Sequence, residues 1–595
     1  KIRKKLSLPK SKHACLHLTI ALFAFALYAN TLGHGFVFDD EAVLKSNAYV
    51  QKGLAGLGDI FSKGSWDGYD ASADMHIYRP LQLAFLALQY EFFGLEPFGY
   101  HVVHVLTYAL ACCLIFALLR RLFGEIDYGG ALAFLTSLIY AAHPVHTEVV
   151  ANIKGNGDLI SMLLGLASLI CLWTYSRRRS RLQLLAACAL FLLALLTKET
   201  IVCLVGVAAL ILYFFSKNTV KEMIVAILPM LAMVAVYLAI RSLVFGDDAQ
   251  KLTQTTKFDN YVYMAEGLSQ ELGLRLYALG KNLQLCLAPY PLQFMYVYDS
   301  LPMVEIRDIR ALLPLTAYLL IGFAFLLNLR KNNIWGFALG FYLVTLSLFT
   351  NTVFSIPNIL SERWLLMPSL GAAMVLANLL ILLGESYRKA ALGLFLVLMV
   401  GYSGYTVQRN QAWESNLTLM ETDVRTAPRN SMALRFLATL YINKAETEGN
   451  LEANLRQAAY YQERFLELAP NDAAQHHKLG EIYEELGEHR NAAELFKKVA
   501  GLVSPLQEEA ERLYAKNCNA GGLYRDALPV WEALREREPE SVEIAAGYTV
   551  ALLKVGQEDE AKQIFEELTK QLQQSNGSAA PYITLNNLGI QLEQM

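Results

Sequence analysis

Eleven long apolar runs fill most of the first two-thirds of this chain, near residues 14–32, 100–119, 131–147, 158–175, 182–197, 200–215, 222–240, 309–328, 334–354, 364–384 and 389–407. A helix of roughly 20 apolar residues crosses the ~30 Å hydrocarbon layer of a bilayer, so each run is a candidate span and a single soluble domain is excluded. Charge is scarce and uneven. Residues 408–595 hold 19 Lys+Arg and 29 Asp+Glu, leaving 32 and 25 for the first 407. A mildly basic, lipid-soluble front is joined to an acidic, water-soluble tail, which excludes a disordered chain and an obvious nucleic-acid binder. Six of the eight cysteines sit inside apolar runs and none has a metal-ligand spacing, so neither a disulfide framework nor a structural zinc site is indicated.

Loop charge sets the direction of the spans. The Lys1-Ile-Arg-Lys-Lys cluster, Arg120-Arg121, Arg177-Arg178-Arg179 with Arg181, Lys217 with Lys221, Arg330-Lys331 and Arg388-Lys389 occupy alternate loops, and every one is basic. With the N-terminus cytoplasmic, all six fall on the cytoplasmic side. The first run has the length of a span and no small-x-small cleavage site follows it, so it reads as a membrane helix and not as a signal peptide. Residues 269–290 are interrupted by Arg275 and Lys281; were they a span, the later basic loops would face outward. They are expected to form an amphipathic or re-entrant helix at the outer surface, as is the short stretch 81–93. Eleven crossings put the tail outside the cytoplasm.

The tail repeats. Gly487, Gly522 and Gly556 are 35 and 34 residues apart, and Ala492, Ala527 and Ala561 and Phe496, Trp531 and Phe565 keep the same spacing. That period, with small, aromatic and Pro positions, is the tetratricopeptide signature. The best copy runs Leu479-Gly480, Tyr483, Gly487, Ala492, Phe496; an earlier one begins at Leu437 and a partial one at Asn587. About four stacked repeats suffice for a stable binding surface.

On this topology the ionisable groups at span ends gather on the outer face: Asp39-Asp40-Glu41, Arg79, the His143-Pro-Val-His146-Thr-Glu148 turn, Lys154, Asp158, Lys198-Glu199, Arg241 and Glu362-Arg363. Charge at membrane depth is costly and marks function or a satisfied pair. Singly, each has a plain reading: Lys198-Glu199 as an ion pair, the histidines as helix caps. Together they combine a carboxylate able to take a proton from an alcohol with cations able to hold a phosphate. Group transfer from a lipid phosphate fits this set. The main rival for Asp39/Asp40, with His143/His146, is a divalent metal; no other cofactor is implied. No Gly-rich phosphate loop or HExxH helix competes.

Asn30-Thr-Leu-Gly-His-Gly-Phe-Val-Phe-Asp-Asp40, Tyr78-Arg79-Pro80-Leu, Gly94-Leu-Glu-Pro-Phe-Gly-Tyr-His101, His143-Pro-Val-His-Thr-Glu148 with Asn152/Gly155/Asp158, Lys198-Glu199-Thr200 and Glu362-Arg363-Trp-Leu-Leu-Met-Pro368-Ser resemble an ordered set of motifs. The set looks like that of the transmembrane and TPR-containing (TMTC) O-mannosyltransferases, GT-C class membrane glycosyltransferases, and their bacterial relatives. The resemblance implies an all-α fold, with a GT-C transmembrane domain over 1–407, a linker at 408–427 and a TPR solenoid over 428–595. Within the first domain it implies a first outer loop at 28–98 and a large outer loop at 241–308. It further implies a polyprenyl-phosphate sugar donor (undecaprenyl or dolichyl), transfer to a Ser/Thr hydroxyl outside the cytoplasm, and a catalytic carboxylate in the first outer loop.

That carboxylate pair matches either Asp39-Asp40 or Asp40-Glu41. Asp40 belongs to both and is the expected general base, with Asp39 beside it. Arg363, Lys198 and Arg241 are the expected donor-phosphate ligands. Glu41, Arg79, His143, His146, Glu148, Lys154, Asp158, Glu199 and Glu362 are expected to line the cleft. The repeats would hold a protein acceptor. A short tail without an ER-retention signal favours a bacterial inner membrane over the endoplasmic reticulum. The competing functions are the same fold acting on a glycan or lipid acceptor, a non-catalytic membrane-anchored TPR scaffold, and a lipid-linked-sugar transporter.

Overall fold

The computed structural model describes residues 10–70, 76–246, 260–297, 301–331, 333–351, 356 and 358–574. The Lys1–Lys5 cluster, parts of the 241–308 segment, the Asn576-Gly-Ser glycosylation pattern and the partial repeat at Asn587 lie outside them. Among the described residues the chain is all-α, without a strand, and it divides into two compact units, Lys1–Asn430 and Ser431–Met595.

The first unit contains α1 (Lys10–Tyr28), α2 (Leu57–Ser62), α3 (Pro80–Phe93), α4 (Pro97–Leu122), α5 (Gly129–Ala142), α6 (Thr147–Val150), α7 (Asn156–Arg178) and α8 (Arg181–Thr197). It continues through α9 (Leu204–Phe215), α10 (Val220–Phe245), α11 (Leu268–Leu287), α12 (Ile309–Leu329), α13 (Ile334–Leu346), α14 (Pro368–Ser386), α15 (Arg388–Ala412) and α16 (Asn416–Thr426). Among the described residues seven helices are long and apolar enough to cross a membrane, and four shorter apolar helices (Gly129–Ala142, Arg181–Thr197, Glu199–Phe215 and Ile334–Phe349) coincide with the remaining runs.

Their connections collect alternately at two ends. At one end Arg177 reaches Glu125 (3.4 Å), Arg179 reaches Glu222 (2.5 Å), Tyr213 donates to the Leu329 carbonyl (3.1 Å), and Phe123 packs on Phe215 (5.6 Å). These are four of the basic connections, α4–α5, α7–α8, α9–α10 and α12–α13. The opposite end carries Asp39, Arg79, Lys154, Lys198 and Arg363.

Neither amphipathic segment is among the helices long and apolar enough to cross. At 14 residues, α3 is about 21 Å long. It buries Leu83, Leu86 and Ala87 against Val43, Val50, Ile60 and Tyr100 and leaves Leu88 and Phe92 exposed. Helix α11 buries Leu274, Ala278 and Leu285 against Tyr342, Leu360 and Leu365, while Arg275 is held by Glu271 (2.5 Å) and the Asn351 carbonyl.

Residues 408–427, expected as a linker, are folded. Helix α15 continues to Ala412, and α16 starts on a Ser415–Thr418 capping box and buries Leu419, Met420 and Asp423. The polar composition that suggests a linker consists of capping and ion-pairing groups. Asn416-Leu-Thr418, which fits the Asn-x-Ser/Thr pattern of glycosylation acceptors, lies in this helix, and both of its polar side chains are bonded within the fold.

The second unit stacks four described helix pairs: α17 (Ser431–Glu448) with α18 (Leu451–Leu468), α19 (Ala473–Glu485) with α20 (His489–Ala500), α21 (Gln507–Ala520) with α22 (Tyr524–Arg537), and α23 (Val542–Val555) with α24 (Glu558–Gln574). The periodic Gly487, Gly522 and Gly556 take φ of 73°, 77° and 91° at the turns inside the last three pairs, where a side chain would be strained. A Cβ on Gly480 would meet the Phe496 ring at 2.7 Å, and one on Gly547 the Trp531 ring at 2.5 Å. Glycine therefore lets the aromatic side chain close the helix interface. Trp531→Ala is expected to cost about 3–5 kcal/mol and to open α22 to α24 locally, because repeats depend on their neighbours. Hydrogen exchange on the full chain checks it; unchanged protection across 524–574 would contradict it.

Candidate active site: four ion pairs around Asp39

The turn after α1 carries Phe38-Asp39-Asp40. Asp40 is 1% exposed and its two oxygens are engaged: Oδ2 accepts the Val37 N–H (2.8 Å) and Oδ1 the Lys154 N–H (2.7 Å). It ties the loop after α1 to the Asn152–Gly155 turn. Burial pushes Asp40 up to about 7, against the opposing effect of the two amides. Asp39 points the other way. Its side chain is 31% exposed and pairs with Lys154 Nζ. Burial raises it, but the charges of Lys154, Arg363 and Lys198 more than offset this and hold it below the ordinary carboxylate value.

Three further pairs surround that one. Arg363 binds Glu148 Oε1 (2.6 Å), while Glu148 Oε2 accepts the Arg363 N–H (2.7 Å) and Ser361 Oγ donates to the same carboxylate (3.2 Å). Lys198 Nζ donates to both oxygens of Asp158 (2.6 Å each). Arg79 grips Glu199 with two parallel bonds, Nε to Oε2 (2.9 Å) and Nη2 to Oε1 (2.5 Å). Arg363 interacts electrostatically with Asp39 and Asp158 as well as Glu148, and Lys198 with Arg79 and Arg363, so the four pairs form one cluster. Burial, partly opposed by Asp158, brings Lys198 down to about 8; at Glu199 burial is more than offset by the charge and hydrogen bonds of Arg79, a backbone N–H and the charge of Lys198 together, which hold it at about 2.

Several expected residues lie elsewhere. Glu41 pairs with Lys45 (2.8 Å) on its own single turn, away from the cluster. Arg241, expected at the donor phosphate, donates instead to the His76 carbonyl (3.1 Å) and lies over the Phe245 ring. His143 and His146 do not line a cleft. His143 caps the short turn by accepting the Val145 N–H (3.3 Å) and bonds the Cys286 carbonyl (3.0 Å), while His146 is held by Tyr108 (2.8 Å) and Ser369 (2.9 Å). Glu362 is fully buried and accepts from the Gln293 N–H (2.5 Å) and Tyr296 Oη (2.9 Å). Burial drives its carboxyl well upward.

Asp39, Asp40, His143 and His146 do not converge on a common point. Asp39 holds the Lys154 ammonium and Asp40 the Lys154 backbone N–H, the histidines bond elsewhere, and no group of three or more His, Cys, Asp or Glu suited to a metal occurs among the described residues. Missed from the sequence were Arg409 and Asp423, an ion pair at 3.1 Å. Arg409 stands at the exit of the eleventh run, a charged span end like the others.

Residues 79–245 match the dolichyl-phosphate-mannose-protein mannosyltransferase family, and residues 520–580 match a tetratricopeptide repeat family. The protein O-mannosyl-transferase F38B6.6 of Caenorhabditis elegans is 27% identical over 68% of this chain and 56% of its own length. Human protein O-mannosyl-transferase TMTC3 is 24% identical over 83% of this chain and 56% of its own length. Drosophila melanogaster Tmtc1 is 34% identical over 30% of this chain and 20% of its own. The chain spans about half the length of the first two relatives. Among solved structures, human IFIT1 matches with a TM-score of 0.17 at 13% identity, covering 92% of this chain and 99% of its own. A mannosyltransferase-type segment, tetratricopeptide repeats and this similarity to the TMTC proteins together make the chain similar to the TMTC protein O-mannosyl-transferases over most of its length.

Proposed function

We propose that this protein transfers mannose from a polyprenyl-phosphate carrier to a Ser/Thr hydroxyl of a protein acceptor on the extracytoplasmic face. The observation that carries the reading is the Asp39 carboxylate, partly open to solvent and set against Lys154 and Arg363. Within the cluster every cation is matched by a carboxylate. An arriving donor phosphate competes for Lys154 and Arg363, and Asp39 is released from its partner as the anion takes its place. The acceptor oxygen then attacks the anomeric carbon, its proton goes to Asp39, and the carbon–oxygen bond to phosphate breaks with its electron pair leaving on the phosphate. This gives inversion. Lys154 and Arg363 stabilise the growing phosphate charge. The general-base role expected of Asp40 thus passes to Asp39, because both Asp40 oxygens already serve two buried turns.

The orientation rests on the basic loops together with their gathering at the end opposite the cluster. With the N-terminus cytoplasmic and eleven crossings, Asp39 and the repeats face outward, where the repeats hold the acceptor.

Incubating the purified chain with polyprenyl-phosphate mannose and a Ser/Thr-rich peptide, with mass spectrometry of the products, tests the proposal. Hexose on the peptide hydroxyls supports it, and transfer only to a glycan or lipid would overturn the acceptor. Lys198, whose charge acts on Arg363 in the same cluster, is a third cation toward the donor phosphate in this reading and adds a pH signature. Its ammonium is charged below about 8 and neutral above it, so the donor KM is expected to rise about tenfold above that pH, the worth of roughly 1–2 kcal/mol from one charge. Lys198→Arg keeps its charge and is expected to abolish that rise; an identical alkaline profile in the variant would contradict the role.

A further inference from the structure

The loop that carries Asp39 contains a backbone conformation its own sequence disfavours. Phe38 has a φ of 46°, in the left-handed region, which a bulky aromatic residue adopts only when its surroundings impose it. Those surroundings come from the far end of the unit. The Phe38 N–H donates to Asn416 Oδ1 at 2.7 Å, on the first residue of α16. The Phe38 ring packs on Phe294 (5.0 Å), and Phe294 packs on the buried Trp413 in the turn between α15 and α16 (5.2 Å). Phe294 is fixed in its turn: its N–H and that of Met295 donate to Asp423 Oδ2 (2.7 and 3.3 Å), and Asp423 is locked to Arg409. Gly35 N–H donates to the Glu414 carbonyl (3.2 Å) and Asn410 Nδ2 to the Leu27 carbonyl (2.9 Å). The loop is thus stitched to the α15–α16 elbow from Leu27 to Phe38.

We propose that Asn416 is a positioning residue for the transfer reaction: it holds Phe38 left-handed and so aims the next side chain, Asp39, into the Lys154–Arg363 cluster. The inference rests on Asp39 being the reacting base. With an ordinary φ at Phe38, the chain would leave the turn in another direction and Asp39 would lose its place against Lys154. The elbow, remote in sequence from the first loop, is then part of the catalytic apparatus without touching substrate.

Asn416→Leu, Asn416→Asp and Asp39→Asn in the full chain, assayed with polyprenyl-phosphate mannose and a Ser/Thr-rich peptide, test it. Asn416→Leu is expected to lower kcat about 10- to 100-fold, the cost of an ångström-scale misplacement, with donor KM within about twofold. Its kcat is also expected to fall off at higher pH on the acidic side, because Asp39 moves away from Lys154, Arg363 and Lys198 while Asp40 stays beside it. Asn416→Asp keeps an acceptor oxygen at a helix N-terminus, where an anion is favoured, and is expected to restore kcat. A loss confined to the yield of folded protein, with kcat per folded molecule and its pH profile unchanged, would overturn the inference. If Asp39→Asn is inactive while Asn416→Leu turns over normally, the positioning role alone fails. If Asp39→Asn retains turnover, the proposed base fails with it.

Discussion

Asp39→Asn is expected to reduce transfer by about 10²- to 10⁴-fold, the usual worth of a general base, while leaving the thermal midpoint of the detergent-solubilised protein nearly unchanged. The amide keeps the size of the side chain and loses its negative charge and its capacity to accept a proton. Its pair with Lys154 is partly open to solvent, with side-chain exposures of 31% and 15%, so its contribution to stability is screened. Asp40→Asn should behave differently. Its two oxygens accept two backbone N–H groups inside the protein, and an asparagine offers one oxygen and one NH2 there. One buried N–H would face a donor, at a cost of about 1–3 kcal/mol. Asp40→Asn is therefore expected to lower the melting temperature clearly, with activity lost through the displaced loop. The comparison needs both variants assayed for melting and turnover on the same preparation. Equal melting temperatures with inactivity confined to Asp40→Asn would return the catalytic role to Asp40.

The two neighbouring carboxylates show what a sequence can and cannot carry. The eleven runs were legible because a helix in lipid must satisfy its own backbone and need only be long and apolar. The repeats were legible because their glycines recur where the turn requires positive φ, as at Gly487 and Gly522. The ionic cluster was visible as a set of charged span ends, and Arg363, Lys198, Asp158, Glu148, Arg79 and Glu199 do meet. Which residue of Asp39-Asp40 faces that cluster depends on Phe38, held by an asparagine 378 positions away. No local pattern carries that information. His143 and His146 misled for a related reason: histidines at a turn look like ligands until their carbonyl and hydroxyl partners, contributed by α4, α11 and α14, are known. The 408–427 stretch looked like a linker because the groups that dock α16 are polar.

Arg363→Met is expected to lower both stability and donor use, and a paired substitution separates the two effects. Glu148 is 1% exposed at its side chain and takes two bonds from Arg363, one through the guanidinium and one through the backbone N–H. Removing the guanidinium leaves a buried carboxylate with no counter-charge, and breaking such a pair costs about 3–5 kcal/mol. Arg363→Met alone would therefore be poorly folded whether or not it binds phosphate. Glu148→Gln combined with Arg363→Met removes both charges, and an apolar or neutral replacement of a buried pair is often close to neutral in stability. The backbone N–H at 363 and Ser361 Oγ still find an acceptor in the glutamine carbonyl. The double variant is thus expected to recover most of the melting temperature and to remain at least about 100-fold down in kcat/KM for the lipid-phosphate donor, because a charge-assisted contact to the departing phosphate is missing when its charge grows. Melting in detergent and initial rates against donor concentration measure the two quantities independently. Recovery of both stability and transfer would make Arg363 a structural partner of Glu148 and nothing more, and the donor phosphate would then need another ligand, with Lys154 the nearest cation to Asp39.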